Sequence, residues 1–494
     1  MYRRIEGIIL DSSVLINSNN GGSTLAPAVD FLFRALHFSQ LPKGIHLGEN
    51  LSVDEVKLLE TLSKEYDFSC FRSSESVAEL LINEIREAWG DAGLRILYVV
   101  SDHRKDLCLK LSDYGFMLSV LDSSVEDSST HPSIEHIKKL EEIPLSICCF
   151  NKKVAGNEFV IVGYNMKPSR QRDFAKRGAF PLYSSHQGLM FLPITSELPM
   201  SLQLQQMDVV LHKATDDIVS IELNTSTPAP KITYTDGMEK LRRTLEDHPR
   251  CCVIDPLNNI YPVMDRLRIQ DVLLGLEDLT KEGRSIIRGA HFLKVDSFND
   301  LNLAEKLLEA KLSFPSIVKT QVACGLSNAH SMAIVFRLEN YKDLPVPLPA
   351  IIQEYVDHSS TLFKFYVLGE KVYHAVKKST PNANVLIELS KGNQLKPLVF
   401  DSLKSLPTAE KNQFGDESVD LELVKDAANW LRRKLDLTIF GFDVVVQDGT
   451  GDHVIVDVNY LPSFKEVPDD VAIPAFWEAI KNKFRERRQT ETFH

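Results

Sequence analysis

The 494-residue chain predicts a multidomain α/β protein, and three observations carry that expectation. Strand-like and helix-like segments alternate through the first 150 residues, the alternation restarts at Glu158-Phe-Val-Ile-Val-Gly-Tyr164, and two β-branched runs near the C-terminus fold back on each other as an acidic hairpin. The first strand is expected at Ile8-Ile-Leu10, followed by a helix around 30–38, an amphipathic helix over 76–89 and a strand over 94–100. A Ser-rich polar stretch at 122–131 then precedes a boundary near residue 150. Beyond it come the strand of Glu158–Tyr164, a strand over 207–213, a Thr-Ser-Thr-Pro-Ala-Pro loop at 225–230 and Cys251-Cys-Val-Ile-Asp255-Pro. The polar, turn-rich 390–420 stretch reads as a surface insertion, and the charged last dozen residues as a frayed end.

A chain of this length holds two to four domains, and 44% hydrophobic residues let each bury a core. No apolar run approaches the roughly 20 residues that a membrane helix needs. The N-terminus passes directly from Tyr2-Arg-Arg4 into a short strand, which reads as a chain that starts here and stays in the cytoplasm. Seven cysteines without a Cys-x-x-Cys pair read as reduced, mostly buried thiols. A net charge of −12 excludes a general nucleic-acid or acidic-membrane binder, which would spread basic surface over a domain. A small polyanion remains compatible if the bases converge in one cleft.

The hairpin is the most informative segment. It reads Phe440-Gly-Phe-Asp443-Val-Val-Val, then Gln-Asp-Gly-Thr-Gly-Asp, then His-Val-Ile-Val-Asp457-Val-Asn459-Tyr-Leu-Pro462, and turns about Thr450. Asp443 and Asp457 are expected to face each other, with Asn459 on the face of Asp457 because strand side chains alternate. Two carboxylates and an amide on rigid strands suit Mg²⁺; a solvated hairpin with scattered acids is the plainer reading. Upstream, Phe314-Pro-Ser-Ile-Val-Lys319-Thr is a strand ending in a lysine. It leads into Cys324-Gly-Leu-Ser-Asn-Ala-His330, a small-residue loop whose backbone can approach phosphate. Ile351-Ile-Gln353-Glu354-Tyr355-Val356 reads as an extended apolar connector, and Lys364 sits on an amphipathic strand. Taken singly, a strand-end lysine is most often solvated and a loop histidine most often structural.

Lysine, glycine-containing loop, apolar connector, lysine strand and acidic hairpin follow one another in the order of the ATP-grasp architecture. From about Val162 to Pro468 the chain resembles the inositol-tetrakisphosphate 1-kinase family, also described as inositol 1,3,4-trisphosphate 5/6-kinases. The resemblance is carried by Val162-Gly-Tyr, His212-Lys213, Asp255-Pro, Asp265-Arg266, Val318-Lys319-Thr, His330, Met332 to Phe336, Gln353 to His358, Phe363-Lys364, Ser379, Gly441-Phe-Asp443 and Asp457-Val-Asn459-Tyr-Leu-Pro462. It implies an ATP-grasp kinase core preceded by an extra α/β domain, as in the long plant form. The domains would then be 1–150 (accessory), 151–254 (kinase N-terminal), 255–358 (ATP-grasp central) and 359–494 (ATP-grasp C-terminal, with the hairpin).

The resemblance further implies that Asp443, Asp457 and Asn459 hold Mg²⁺, two ions per site. It implies that Arg266, Lys319, Gln353, Glu354, Tyr355, Val356, Lys364 and Ser379 contact ATP, and that Arg170, Lys213, His330, Lys364, Asn459 and Ser463 contact the inositol phosphate. Lys319, Lys364 and His330 are the candidate catalytic residues. Three positions depart from the family pattern: Arg170 stands for lysine, Asn328 for a common lysine and Ser463 for glycine. The expected enzyme is a cytoplasmic monomer that moves the γ-phosphoryl group of ATP to a hydroxyl of an inositol tris- or tetrakisphosphate, with reversible transfer as a route to isomerisation. Such a transfer needs charge neutralisation and positioning more than a general base. The rival readings are another ATP-grasp enzyme, a carboxylate-amine ligase, and a non-catalytic inositol phosphate-binding scaffold. Ile8-Ile-Leu-Asp11-Ser-Ser13 is faintly similar to the nucleophile motif of haloacid dehalogenase-type phosphatases, but Ser13 replaces the acid two residues on and cannot relay a proton as a carboxyl does. A degenerate domain serving as a scaffold is expected.

Overall fold

The computed structural model describes residues 4–19, 22–72, 78–90, 95–101, 110–121, 134–155, 159–182, 188–223, 230–279, 286–404, 406–407 and 419–492. The 122–131 stretch and most of the 225–230 loop lie outside them. Backbone contacts group the chain into two compact units, one of residues 1–211 with 240–252 and one of 212–239 with 253–494.

In the first unit, short apolar runs separated by helices can pair only in parallel, because each helix returns the chain to the same end of the sheet. The strands are β1 (Gly7–Asp11), β4 (Lys43–His46), β5 (Ser69–Phe71), β6 (Ile96–Ser101), β7 (Met117–Leu121) and β8 (Ile134–Ile137), in the order β5-β4-β1-β6-β7-β8, all parallel. A small ribbon of β2 (Ile16–Asn19) and β3 (Gly22–Leu25) follows β1. β1 and β6 are buried along their whole length, as expected of strands covered on both faces. The expected helices are present as Val29–His37 and Ala78–Trp89, the second laying Leu81, Ile82 and Ile85 on Tyr98, Leu118 and Val120. Helix Val53–Tyr66 begins with a reciprocal cap between Ser52 and Glu55. Gly44 leaves no room for a side chain, since a Cβ there would lie 2.3 Å from the Phe71 ring. Helix Ile143–Ala155 runs through residue 150 and leads to β9 (Val160–Asn165), β10 (Leu189–Pro193), β11 (Val209–His212) and β14 (Cys252–Ile254), a sheet in the order β10-β9-β11-β14.

Asp11 closes the carboxyl end of β1. It is fully buried, caps helix Ser12–Leu15 through Ser13 N (2.9 Å), accepts from the Tyr98 hydroxyl (2.6 Å) and lies 3.3 Å from His46 Nδ1. The carboxylate is thus a buried acceptor within a side-chain network. Asp11→Ala leaves the Ser13 amide without its acceptor and removes the carboxylate from the buried Tyr98–His46 pair, so it is expected to destabilise the protein by about 3 kcal/mol. Chemical denaturation checks this.

The second unit begins with a ribbon of β12 (Ile218–Glu222) and β13 (Lys231–Tyr234). Two five-stranded sheets follow. One contains β15 (Ile287–Gly289), β20 (Thr361–Leu368), β21 (Lys371–Lys378), β23 (Ile439–Val446) and β24 (His453–Tyr460), ordered β15-β24-β23-β20-β21. The other contains β16 (Phe292–Val295), β17 (Ser316–Thr320), β18 (Ser331–Val335), β19 (Ala350–Glu354) and β22 (Leu398–Asp401), ordered β16-β19-β17-β18-β22. All pairings are antiparallel except β15 with β24. Helix Leu303–Glu309 supplies Leu303 and Leu307 to the core under the second sheet, beside Val318, Val335 and Ile352.

Two expectations change here. The 390–420 stretch is not wholly an insertion: Leu398–Asp401 is an edge strand paired with β18, because Leu398 and Phe400 pack with Ile334 and Leu386. The 351–356 segment is likewise not a free connector. Residues through Glu354 belong to β19, which is flanked on both sides by β16 and β17.

Candidate active site

The hairpin forms as its alternation requires. β23 and β24 pair antiparallel with Asp443 opposite Asp457 and Gly441 opposite Asn459, and a bulge follows Asp443. Asn459 Nδ2 donates to Asp457 Oδ2 at 2.8 Å. Gly441 is required, because a Cβ there would lie 2.9 Å from the Phe365 carbonyl oxygen and 3.2 Å from Pro462. On the neighbouring strand Lys364 stands in register with Asp443, and its Nζ lies 3.2 Å from Asp443 Oδ2. From the other sheet Lys319 reaches across, its Nζ donating to the Val456 carbonyl at 3.2 Å. A strand-end lysine is ordinarily solvated, but this one is only 7% exposed because the facing sheet covers it.

Burial pushes Asp443 up to about 6, with the like charge of Asp457 adding to it and Lys364 and Lys319 opposing. Burial pulls Lys319 down to about 8, with Arg266 adding to it and Asp457 and Asp443 opposing. Carboxylates and ammonium are therefore held together in a poorly solvated cleft where neither sign is fully compensated. A hard cation beside Asp443, Asp457 and Asn459 fits this donor set, and phosphate oxygens fit the lysines.

Around this centre the loop after β17 is clasped by Arg266. Its Nη1 donates to the carbonyls of Thr320 (2.7 Å) and Val322 (3.0 Å), and Nη1 and Nη2 both donate to Ala329 (3.2 Å each). Among the described residues, the buried Nε has no hydrogen-bond acceptor. Asp265 caps helix Arg266–Leu274 and accepts from Gln321 Nε2 at 2.9 Å, which fixes the other side of the clasp. Gly325, at φ 85°, packs its Cα against Ile218, where a Cβ would fall 2.6 Å from the Ile218 methyl. His330 ends the loop. Burial first and Arg266 second lower its imidazole, opposed by Asp401 and Asp457, so it stands neutral near pH 7 in the absence of phosphate. Asn328 is exposed on the loop and Ser463 is half-buried after β24.

The expected nucleotide wall is held by its side chains. Gln353 is buried, and Glu354 is gripped by Arg288 in a two-nitrogen fork while also accepting from His291 N at 2.7 Å. The Tyr355 hydroxyl donates to the Pro381 carbonyl and lies 2.7 Å from Thr380 Oγ1. His358 joins the Val356 carbonyl (2.6 Å) to Ser379 Oγ (2.8 Å), so the segment and Ser379 are fixed as one piece. Arg288, His358 and Asp401 were not assigned roles from sequence. Arg288 and Asp401 come into view only once the strands pair, and His358, at the end of the Gln353–His358 segment, only through its bridge from the Val356 carbonyl to Ser379 Oγ.

Lys213 lies in the same unit as the hairpin and donates to the Tyr460 carbonyl. Arg170 lies on helix Pro168–Lys176 in the first unit and is half-buried. Among the described residues there is no group of three or more His, Cys, Asp or Glu side chains set to hold a metal, so the amide of Asn459 is what completes the candidate donor set. No described helix is long and apolar enough to cross a membrane.

Three family descriptions match in succession. Residues 1–153 match "ITPK4, N-terminal HAD-like domain", 161–260 match "Inositol 1,3,4-trisphosphate 5/6-kinase pre-ATP-grasp domain" and 286–477 match "Inositol 1,3,4-trisphosphate 5/6-kinase ATP-grasp domain". Fold and site together thus define an ATP-grasp enzyme with a haloacid dehalogenase-like domain before it. The chain is 46% identical over 497 aligned residues to inositol-tetrakisphosphate 1-kinase 6 of Oryza sativa subsp. indica, covering 98% of this chain and 90% of that one. It is 28% identical to inositol-tetrakisphosphate 1-kinase of Danio rerio, over 57% of this chain and 69% of that one. The chain belongs to the inositol-tetrakisphosphate 1-kinase family. Among solved structures, D-alanine–D-alanine ligase from Bacillus anthracis covers 67% of this chain and 99% of its own at 15% identity and a TM-score of 0.39, a likeness too shallow to bear on chemistry.

Proposed function

We propose that this protein transfers the γ-phosphoryl group of ATP to a hydroxyl of an inositol tris- or tetrakisphosphate, with segment 151–494 performing the reaction and the first 150 residues serving as an accessory domain. The observation that carries the reading is the meeting of Asp443, Asp457 and Asn459 with Lys364 from one sheet and Lys319 from the other. Asp443, Asp457 and Asn459 would hold Mg²⁺, which when bound supplies Lewis-acid stabilisation to the transferring phosphoryl oxygens. Lys319 and Lys364 neutralise the phosphates of ATP, and the loop clasped by Arg266 offers backbone amides to the same oxygens. The Gln353–Val356 segment and Ser379 form the nucleotide wall.

Lys213 and His330 bind phosphates of the acceptor, and Arg170 carries a guanidinium whose two-pronged fork suits phosphate where a lysine would offer one point charge. His330 is neutral in the free site, and a neighbouring phosphate raises its affinity for a proton, so it serves as a clamp whose charge arrives with the substrate. Loss of a lysine at Asn328, on the exposed loop, and a side chain at Ser463 alter the rim that orients the ring. That rim sets which hydroxyl is presented. The Lys213 ammonium, with His330 able to take up charge beside phosphate, favours a polyphosphorylated acceptor over the acid of a carboxylate-amine ligase, and the intact acidic hairpin favours an enzyme over a scaffold. We also read the enzyme as a monomer of the cytoplasm.

The test is ATP turnover by the full chain, with Mg²⁺, against a panel of inositol tris-, tetrakis- and pentakisphosphates with chromatographic separation of product isomers. Transfer to at least one of them is expected. ATP binding without transfer to any inositol phosphate would overturn the reading.

A further inference from the structure

Tyr460 follows Asn459 directly on β24 and is 3% exposed. Its hydroxyl donates to the His212 carbonyl and lies 3.4 Å from the Ile254 carbonyl, while its own carbonyl accepts from Lys213 Nζ. The Lys213 ammonium also stands over the Tyr460 ring, 4.8 Å from its centroid. The corner that carries Lys213 is locked from inside as well. His212 is buried and neutral, drawn down to about 4 chiefly by burial, and its Nδ1 accepts from Ala214 N at 3.3 Å, while Asp216 N closes a 3₁₀ turn on the Lys213 carbonyl at 2.8 Å.

A lysine on a four-carbon stem is otherwise a mobile charge, and holding it in one geometry usually opposes much rotamer entropy. Here one tyrosine touches the lysine at ring and carbonyl and holds the preceding carbonyl with its hydroxyl. The same residue sits one position from the amide that completes the candidate metal set. Displacement of the 212–213 corner would therefore move the acceptor-binding charge relative to the strand carrying Asp457 and Asn459. Phenylalanine would keep the ring and Lys213's bond to the 460 carbonyl, but would leave the His212 carbonyl without its hydroxyl donor.

We propose that Tyr460 is a positioning residue for the acceptor: it acts through Lys213, fixing the acceptor-binding lysine to the metal-bearing strand so that the inositol phosphate is held in register with the transferring phosphoryl group. The inference rests on the kinase reading above and adds a residue to it.

The test is a double-mutant cycle of Tyr460→Phe and Lys213→Ala, with the inositol phosphate identified in the panel as acceptor. Tyr460→Phe is expected to raise the KM for the inositol phosphate by about tenfold, the scale of one lost buried hydrogen bond, and to leave the KM for ATP within about twofold. Lys213→Ala is expected to raise the same KM, and adding Tyr460→Phe to it should change nothing further, because the tyrosine acts through the lysine. Tyr460→Leu, which also removes the ring under the ammonium, should exceed Tyr460→Phe in the Lys213 background alone. Equal shifts in both KM values, or fully additive effects of the two substitutions, would assign Tyr460 a merely structural role and overturn the proposal. If Lys213→Ala leaves the inositol phosphate KM unchanged, the assignment of Lys213 itself fails, which is a separate and recognisable outcome.

Discussion

Asp457→Asn is expected to lower ATP turnover by at least about 100-fold, the scale on which loss of one preorganised charge acts in a water-poor site. Asp457 is opposite Asp443 in the hairpin, accepts from Asn459 and supplies the chief attraction on the Lys319 ammonium. An amide at 457 keeps the shape and removes one of two carboxylates from the proposed ion site. The measurement has a readout independent of turnover. Mg²⁺ should raise the melting temperature of the native protein by mass action and raise that of Asp457→Asn much less. Retained turnover with a retained Mg²⁺ shift would remove the hairpin from the mechanism. Relief of repulsion should also let Asp443, now at about 6, ionise more readily.

Lys319→Met carries the second large effect, and it acts in opposite directions on activity and stability. Turnover should fall by roughly 100-fold or more, because the β17 ammonium proposed to neutralise the ATP phosphates is gone. The free protein, however, should become more stable at neutral pH. Lys319 falls from 10.5 to about 8 because burial opposes its charge more than Asp457 and Asp443 favour it. That fall corresponds to at most roughly 3 kcal/mol against the folded state while both forms are protonated below pH 8.

Between about 8 and 10.5 the unfolded chain binds this proton and the native state does not, so native stability rises with pH through that window. Denaturant titrations at pH 7 and pH 10 should therefore show the advantage of Lys319→Met shrinking as pH increases. Equal stability at pH 7 would mean that the lysine is compensated in the free enzyme. Bound phosphates would raise Lys319 back toward its ordinary value, so nucleotide affinity should weaken as pH rises through about 8. Stability given up at a functional charge is a common trade at active sites.

Local periodicity made much of this site legible. Asp443, Asp457 and Asn459 share a place because a two-residue repeat on paired strands leaves no alternative, and Lys364 proved to be in register with Asp443 on the adjoining strand. The helices at 29–37 and 78–89 were readable from their amphipathic spacing for the same reason. What could not be read was pairing between distant segments. Arg288 and Glu354 are 66 positions apart, and Asp401 belongs to a polar stretch that becomes an edge strand only because β18 offers an unpaired side. Arg266 has the charge expected of a nucleotide ligand, yet its terminal nitrogens are committed to three loop carbonyls.

The amino-acid sequence by itself determined the order of the elements, the acidic hairpin, the cationic residues available to it and the family those motifs resemble, since each depends on spacing along the chain. Tertiary structure alone decided that Lys319 is buried and uncomfortable, that Asp11 is sealed behind Tyr98, and that Tyr460 joins Lys213 to β24. Burial and contact between residues hundreds of positions apart depend on which sheet covers which side chain, and solvation set in that way shifts charge states that spacing cannot reveal.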